Sequence, residues 1–401
     1  MNLPRLVAIA LVCLAFFRPG NLSAQIYADV TVSGGVSGTF TMTLEHTKAP
    51  VTVANFIGLA TGKKGWLDFQ TGGIRYDAFY NGLTFHRVIA GFVSQTGSRN
   101  GNGTDGPGYT FRDEIDPSLS HATAYTVAMA NSGANTNGSQ WYVTQGNQSS
   151  LDGSYSIFGT VTAGQTVCSA LNAVTTDTSD RPVTPVTISS IKVYGPSLAG
   201  FNLNPTGLPK VLNGGTVMKA ASSTFSLGYD HKPYSTYLGF HSPDLSGWSS
   251  FISSSYFHSL PPAAGDIDVT SLATGSKHFY RLARVDYSSC YTAPVSIEGK
   301  TLRFPGLFGT SYVTLTMNAA GTGGTYQYLF SGSSAQSGSI TSVTYQNNGS
   351  PYSADLFVTW DTSVQIALDV LNFSTANGGK FTGRSNLTSF PTISGSFTSS
   401  P

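Results

Sequence analysis

At 401 residues the chain is too long for one ordinary hydrophobic core and implies two or three domains. A hydrophobic content of 40% excludes a disordered chain, and 10% charged residues with 45 glycines point to a turn-rich β protein. A formal charge of +1 excludes the broad basic field that nucleic acid or an anionic membrane surface would call for.

Residues 1–24 read as a secretory signal. Arg5 supplies a positive start, Leu6 to Phe17 a short apolar run, and Leu22-Ser23-Ala24 a small-residue exit. A run of roughly 12 apolar residues is too short to cross about 30 Å of hydrocarbon. Cleavage near Ala24 removes Arg5 and Arg18, taking the formal charge from +1 to −1. The expected product is a secreted or periplasmic, soluble monomer. Cys13 lies inside the apolar run, where a lipid-anchored cysteine is the lesser alternative. Cys168 and Cys290 remain and read as separate thiols, with Cys168 as a small core residue.

The first domain is expected over residues 25–197. Phe40, Met42 and Leu44 alternate as one face of a strand after a Gly34-Gly35 turn. Val53, Phe56, Ile57 and Ala60 then fall at i, i+3, i+4 and i+7, which predicts a helix starting near Pro50 and ending at Gly62. Two stretches that carry chemistry follow. Phe85-His86-Arg87-Val88-Ile89-Ala90-Gly91-Phe92-Val93-Ser94-Gln95 strings a cation, an aromatic and an amide along one extended segment, as gripping a peptide backbone beside an apolar ring requires. Met129-Ala130-Asn131 through Gln140-Trp141-Tyr142 supplies a second polar and aromatic stretch. A second helix is predicted from Thr166 to Val174. Val186, Ile188, Ile191 and Val193 form a closing strand whose alternation slips at Ser189-Ser190.

Past Gly195-Pro196 the composition shifts toward glycine, serine, threonine and tyrosine. Two further all-β domains are expected, over residues 200–296 and 297–401, each a small sandwich or a meander curling toward a barrel. Strands are predicted at Thr224–Leu227, Phe279–Val285, Tyr312–Met317, Tyr326–Phe330, Ile340–Tyr345, Ala354–Trp360 and Gln365–Leu371. Turns are predicted at Asn213-Gly214-Gly215, Pro261-Pro262 and Asn377-Gly378-Gly379. Ser242-Pro243-Asp244-Leu245-Ser246-Gly247-Trp248, with Phe279-Tyr280-Arg281-Leu282, weakly resembles accessory β-modules of bacterial secreted proteins.

The two chemical stretches resemble the cyclophilin family of peptidyl-prolyl cis-trans isomerases. The resemblance covers the first domain alone. It implies a mainly β fold, a closed eight-stranded antiparallel barrel capped by two helices. It also implies rotation of the peptide bond before proline in polypeptide substrates, with no cofactor. Phe92, Val93, Tyr142 and Leu151 would line the proline pocket, with Tyr155 at its edge. Gln95 would steady the substrate or Arg87, Asn131 would bond the substrate through its main chain, and Ala130 and Gln140 would flank the groove. Many cyclophilins carry methionine at the position of Val93, phenylalanine at Tyr142, tryptophan at Ser150 and histidine at Tyr155. The change at Ser150 bears on tight cyclosporin binding more than on isomerisation.

Arg87 is the candidate catalytic residue. Amide resonance sets a rotation barrier of about 18–20 kcal/mol. As the bond twists, the lone pair localises on the prolyl nitrogen, and a fixed guanidinium favours that state over the planar one. Taken alone, Arg87 reads as a surface ion-pair residue, and Phe92 and Tyr142 as core. No proton moves in this reaction, so His86 reads as a structural, hydrogen-bonded histidine. Gly101-Asn102-Gly103-Thr104-Asp105-Gly106 has the letters of a dinucleotide loop but precedes Pro107 and no helix, so it reads as a floppy surface loop. The scattered histidines imply no metal site. Trp248 and Trp360 read as β-core, with a sugar- or peptide-binding face as the alternative. The rival function is a catalytically weak module that binds proline segments, with C-terminal domains that attach to a surface or glycan.

Overall fold

The computed structural model describes residues 25–214, 216–221, 224–229, 235–256, 265–272, 278–287, 299–307, 310–329, 334–347, 353–360, 364–375, 378–385 and 392–400. The expected signal, Cys290 and the Pro261-Pro262 turn lie outside the described residues.

The first region contains strands β1 (Ile26–Gly34), β2 (Gly38–Leu44), β3 (Trp66–Asp68), β4 (Gly73–Arg75), β5 (Arg87–Ile89), β6 (Val93–Thr96), β7 (Thr126–Met129), β8 (Trp141–Thr144), β9 (Ile157–Ala163) and β10 (Val186–Tyr194). Its helices are α1 (Pro50–Thr61) and α2 (Gln165–Asn172). Eight strands form one curled antiparallel sheet in the order β10-β1-β2-β9-β7-β8-β6-β5, while β3 and β4 form a separate hairpin. Ile26, Ala28, Val30, Phe40, Met42, Val127, Trp141, Phe158 and Ile188 are buried in one apolar cluster with Val53, Phe56 and Ile57 of α1 and Leu171 of α2. Both helices therefore pack their apolar faces onto the core of the curled sheet.

The sheet differs from the expected closed barrel. Strand β5 does not ladder with β10, because the Val88 N–H donates to the Asp180 carbonyl of a loop, 2.8 Å away. The contacts with β10 come instead from the chain just before β5. There the Phe85 N–H donates to the Val186 carbonyl (2.9 Å), the Ile188 N–H to the Leu83 carbonyl (2.8 Å), and Thr84 bridges Thr187.

Local signals explain the elements. Pro50 opens α1, and Gly62, with φ of +69°, ends it in the left-handed conformation. The helix has no acidic residue in its first turn. Its free N–H groups are satisfied across the fold by Glu114, which accepts from the N–H groups of Val51 (3.1 Å) and Thr52 (2.6 Å) and from the Thr52 hydroxyl (2.7 Å). The slip at Ser189-Ser190 is a β-bulge: Thr31 pairs with Ser190 but Val32 pairs with Ile188. Cys168 is a buried free thiol, and burial pushes its pKa up to about 12.

The second region contains β11 (Lys210–Asn213), β12 (Thr216–Ala221), β13 (Thr224–Tyr229), β14 (Ser235–Ser242), β15 (Ser249–Tyr256), β16 (Gly265–Asp268) and β17 (Phe279–Asp286). They form two sheets, β11-β17-β14-β15 and β12-β13-β16. Leu208, Val211, Phe240, Ala283, Val285 and Tyr287 join the apolar cluster of the first region. Trp248 packs partly buried against that cluster beneath the Arg281 guanidinium, 4.0 Å from the ring centre.

The third region is a closed barrel of β18 (Thr301–Pro305), β19 (Tyr312–Met317), β20 (Gly324–Leu329), β21 (Gln336–Asn347), β22 (Ser353–Trp360), β23 (Val364–Thr375), β24 (Gly378–Ser385) and β25 (Thr392–Ser400). Each strand pairs with the next, and β18 pairs with β25. Gly378 and Gly379, expected in a turn, open β24 at the hairpin where Thr375 of β23 pairs with Gly378. Leu302, Phe304, Val313, Leu315, Leu356 and Phe397 belong to a separate core. Among the described residues no helix is long and apolar enough to cross a membrane.

Candidate active site

The outer face of the curled sheet carries its own small apolar cluster. Val93, Ala128, Tyr142 and Ile157 are buried there, with Phe92, Ala130, Leu151 and Tyr155 packed partly buried around them. Side chains alternate between faces of a strand. Val88, Trp141 and Val143 therefore point into the main core, while Gln95 and Tyr142 point outward. Register completes the row: Arg87 pairs with Gln95 across β5 and β6, and Gln95 pairs with Tyr142 across β6 and β8. A cation, an amide and an aromatic ring thus stand side by side on one face.

Phe92 is positioned by a tight turn. Its N–H donates to the Ile89 carbonyl at 3.0 Å, and Gly91 takes φ of +74°, which disfavours any side chain there. Asn172, at the end of α2, braces this turn from below. Its Oδ1 accepts from the Gly91 N–H (2.7 Å), while its Nδ2 donates to the Ile89 carbonyl and the Ser94 hydroxyl, both at 3.1 Å. Gln148 Nε2 donates to the Gly91 carbonyl from the other side, 2.9 Å away. Sequence reasoning missed both residues. A polar side chain beside Leu171 on an amphipathic helix was the available signal for Asn172.

The Arg87 side chain is 41% exposed, and its Nε stands 3.8 Å from an Asp180 carboxylate oxygen. A pair this exposed and this long holds the guanidinium weakly. Arg87 lines a hollow of about 400 Å³ with His86, Gln95, Asn102, Gly103 and Arg181. His86 is buried, and neither ring nitrogen makes a hydrogen bond of ordinary distance and angle, with Gln140 the neighbour that acts on it as a hydrogen-bonding group. Burial holds its pKa below the ordinary imidazole value, Arg181 and Arg87 act in the same direction, and Asp105 and a hydrogen bond with Gln140 oppose them.

Gln95 is held by amide relays. Its Nε2 donates to Gln140 Oε1 at 2.9 Å, and Gln140 Nε2 donates to the carbonyls of Gly103 and Asp105, each at 2.9 Å. The loop read as floppy is braced internally. The Ser98 hydroxyl donates to Asp105 (2.6 Å), the Asn100 N–H donates to the same carboxylate (2.9 Å), and the Asn100 side chain donates to Thr104 (2.9 Å). It forms no helix. Asn131 spends its side chain on two loops, donating to the Ser154 carbonyl of the neighbouring loop (2.9 Å) and accepting from the Gly133 N–H of its own (3.2 Å).

The Tyr142 hydroxyl has a partner that the sequence did not disclose. It lies 3.2 Å from His121 Nε2, and His121 Nδ1 lies 2.8 Å from Asp152 Oδ1. The Nδ1–H tautomer donates to Asp152 and leaves Nε2 to accept from the tyrosine. The His121 N–H and the Ser120 hydroxyl also donate to Asp152, and together these hydrogen bonds hold its pKa at about 2. Tyr155 meets the Tyr142 ring edge-on at 5.9 Å, and Ser150 is exposed on a short 3₁₀ turn beside Leu151.

The curled antiparallel sheet, its two helices and an arginine, a glutamine and a tyrosine in one cross-strand row beside an outer apolar cluster define the class of protein to compare. The model of the family Cyclophilin type peptidyl-prolyl cis-trans isomerase/CLD matches residues 27–193. Peptidyl-prolyl cis-trans isomerase B of Streptomyces anulatus is 42% identical over 175 residues, 43% of this chain and 98% of its own length. Peptidyl-prolyl cis-trans isomerase A of Mycobacterium tuberculosis is 46% identical over 147 residues, 36% of this chain and 81% of its own. A solved cyclophilin type isomerase of Cryptosporidium parvum is 26% identical, covers 43% of this chain and 98% of its own, and has a TM-score of 0.37. The chain belongs to the cyclophilin-type peptidyl-prolyl cis-trans isomerases, enzymes that rotate the peptide bond before proline.

Proposed function

We propose that this protein rotates X-Pro bonds in exported polypeptides, with Arg87 stabilising the twisted amide above the apolar cluster of Phe92, Val93, Tyr142 and Leu151. The proline ring rests on that cluster, and the Arg87 guanidinium turns from Asp180 toward the prolyl nitrogen. Donation to this nitrogen is strongest when its lone pair is localised, so the interaction lowers the barrier rather than merely binding the ground state. Gln95, oriented by Gln140, and the main chain of Asn131 hold the flanking peptide. Val93 and the Tyr142 hydroxyl change the pocket's shape and polarity at the rim while leaving an aromatic wall.

The carrying observation is the cross-strand row Arg87–Gln95–Tyr142 beside a cluster separate from the main core. NMR exchange spectroscopy on a prolyl peptide tests it. Added protein should broaden the separate cis and trans resonances into exchange, and an Arg87→Ala protein at equal concentration should leave them sharp. Export is supported by the charge and apolar pattern of residues 1–24. Protein recovered outside the cytoplasm should begin near Gln25, and recovery with Met1 intact would remove this part of the reading.

A further inference from the structure

The second region stands against the active-site side of the isomerase fold and supplies part of a groove there. A cavity of about 960 Å³ shares Gln95, Ala130, Asn131 and Gln140 with the site described above, and its far side includes Phe69 and Tyr287. Phe69 sits at the tip of the β3–β4 hairpin, while Tyr287 directly follows β17 of the second region. The volume is within the range of about 300–1,000 Å³ typical of ligand sites.

Several contacts fix this junction. The Thr110 N–H donates to the Tyr287 hydroxyl at 3.3 Å. Arg281 donates to the Thr71 carbonyl and Lys64 to the Pro209 carbonyl. Phe69 and Phe240 have ring centres 6.3 Å apart. Gly72, with φ of +62°, lets the hairpin meet Phe240, since a Cβ there would lie 2.5 Å from the Phe240 ring. Val211, Phe240, Val285 and Tyr287 belong to the same buried cluster as the isomerase core, so the wall is packed in place rather than tethered.

The lining decides what enters. Phe69, Pro107, Tyr109 and Tyr287 present apolar faces, and Tyr109 is held by its hydroxyl donating to Asn55 at 2.6 Å. Asp105 is the one charged residue of the lining, and its two carboxylate oxygens already accept from Ser98 (2.6 Å) and the Asn100 N–H (2.9 Å). A charged substrate group would lose its hydration here without a free counter-ion, whereas a large apolar side chain gains contact.

We infer that Tyr287 and Phe69 form a substrate subsite shared between the isomerase domain and the second region, selecting polypeptides with an aromatic or large aliphatic residue near the proline. The inference rests on the reading of Arg87 as the reaction centre, since the cavity runs on from the row that contains Gln95. It makes the second region a specificity element of the isomerase.

The full chain is assayed with two sets of prolyl peptides that differ only in carrying phenylalanine or alanine at each position within three residues of the proline. At one of these positions kcat/KM should favour phenylalanine, on the order of tenfold. Tyr287→Ala and Phe69→Ala should each bring that ratio toward one, with the loss falling on the phenylalanine peptide. Tyr287→Phe, which keeps the ring, should retain the ratio. Phe69 is 43% exposed, so its truncation tests the subsite even if Tyr287→Ala does not fold. An unchanged ratio in Phe69→Ala, or a Tyr287→Phe protein that behaves like Tyr287→Ala, overturns the inference. Arg87→Ala run alongside separates the two readings. If it abolishes turnover on both peptides while the Phe69→Ala ratio is unchanged, the subsite alone is wrong; if it leaves turnover intact, the reaction centre and the subsite built on it fall together.

Discussion

Among the described residues two eight-stranded antiparallel sheets solve the same problem differently. In the C-terminal barrel every strand pairs with its sequence neighbour and the first meets the last, so hairpins consume the chain and side chains alone fill the inside. In the isomerase sheet the order is scrambled, two helices enter the core, and strands β5 to β8 have only three or four residues each. Short strands leave chain over for the loops at 97–125, 130–140 and 145–156, and these wrap the outer face and bury a second cluster there. A meander closed on itself makes a stable body, whereas crossed connections and brief strands make a body with a site on its outside.

The largest expected effect tests the independence of the two. Phe304 is fully buried and meets Phe381 edge-on at 5.2 Å. Phe304→Ala should cost the C-terminal barrel about 3–5 kcal/mol, seen as one shifted step in denaturant unfolding. Prolyl isomerisation per molecule should not change, and a parallel loss would show that the barrel supports the site after all. Next comes Arg87→Ala, which removes a preorganised donor and should lower kcat/KM by about a hundred- to a thousandfold, or about 2.7–4 kcal/mol. Its half-exposed side chain and long pair with Asp180 predict an unfolding midpoint close to that of the parent protein.

Asn172→Ala sharpens the contrast, because it strips buried hydrogen bonds from the turn that aims Phe92. It should cost about 1–3 kcal/mol of stability and raise KM more than it lowers kcat. Tyr142→Phe is milder. Losing the bond to His121 should cost about 0.5–1.5 kcal/mol, with turnover kept because the aromatic wall remains.

Asp152 supplies the pH arm. Its pKa is depressed from an ordinary value of about 3.9 to about 2 in the folded protein. The stabilisation it brings is therefore complete above about pH 4 and is lost as the pH falls through about 2. In acid titrations followed by unfolding, the gap between the parent protein and Asp152→Asn should be constant above pH 4 and close below it. A gap that widens in acid would mean that another group governs the region.

Much of this molecule could be read locally. The spacing of Val53, Phe56, Ile57 and Ala60 gave α1, with Pro50 and Gly62 marking its ends, and the slip at Ser189-Ser190 marked a bulge. Tyr312–Met317 was read to the residue because its alternation and flanking turns agree. Local reading failed where a distant partner decides. Gly378-Gly379 stand where the β23–β24 hairpin turns, Thr375 pairing with Gly378, but a distant partner also draws both into β24 through Phe397 and Thr398.

By itself the sequence determined which residues alternate, which recur at helical spacing, and that a cation, an amide and aromatics lie in two nearby stretches. Only the tertiary structure decided that Arg87, Gln95 and Tyr142 share one row, that Glu114 caps α1, that His121 and Asp152 hold Tyr142, and that Tyr287 reaches the groove. The physical reason is range. Periodicity encodes the face on which a side chain lies, a property of a few consecutive bonds. Which faces meet is set by strand register and packing between segments far apart along the chain, where a shift of one residue would send every side chain of a strand to the other face.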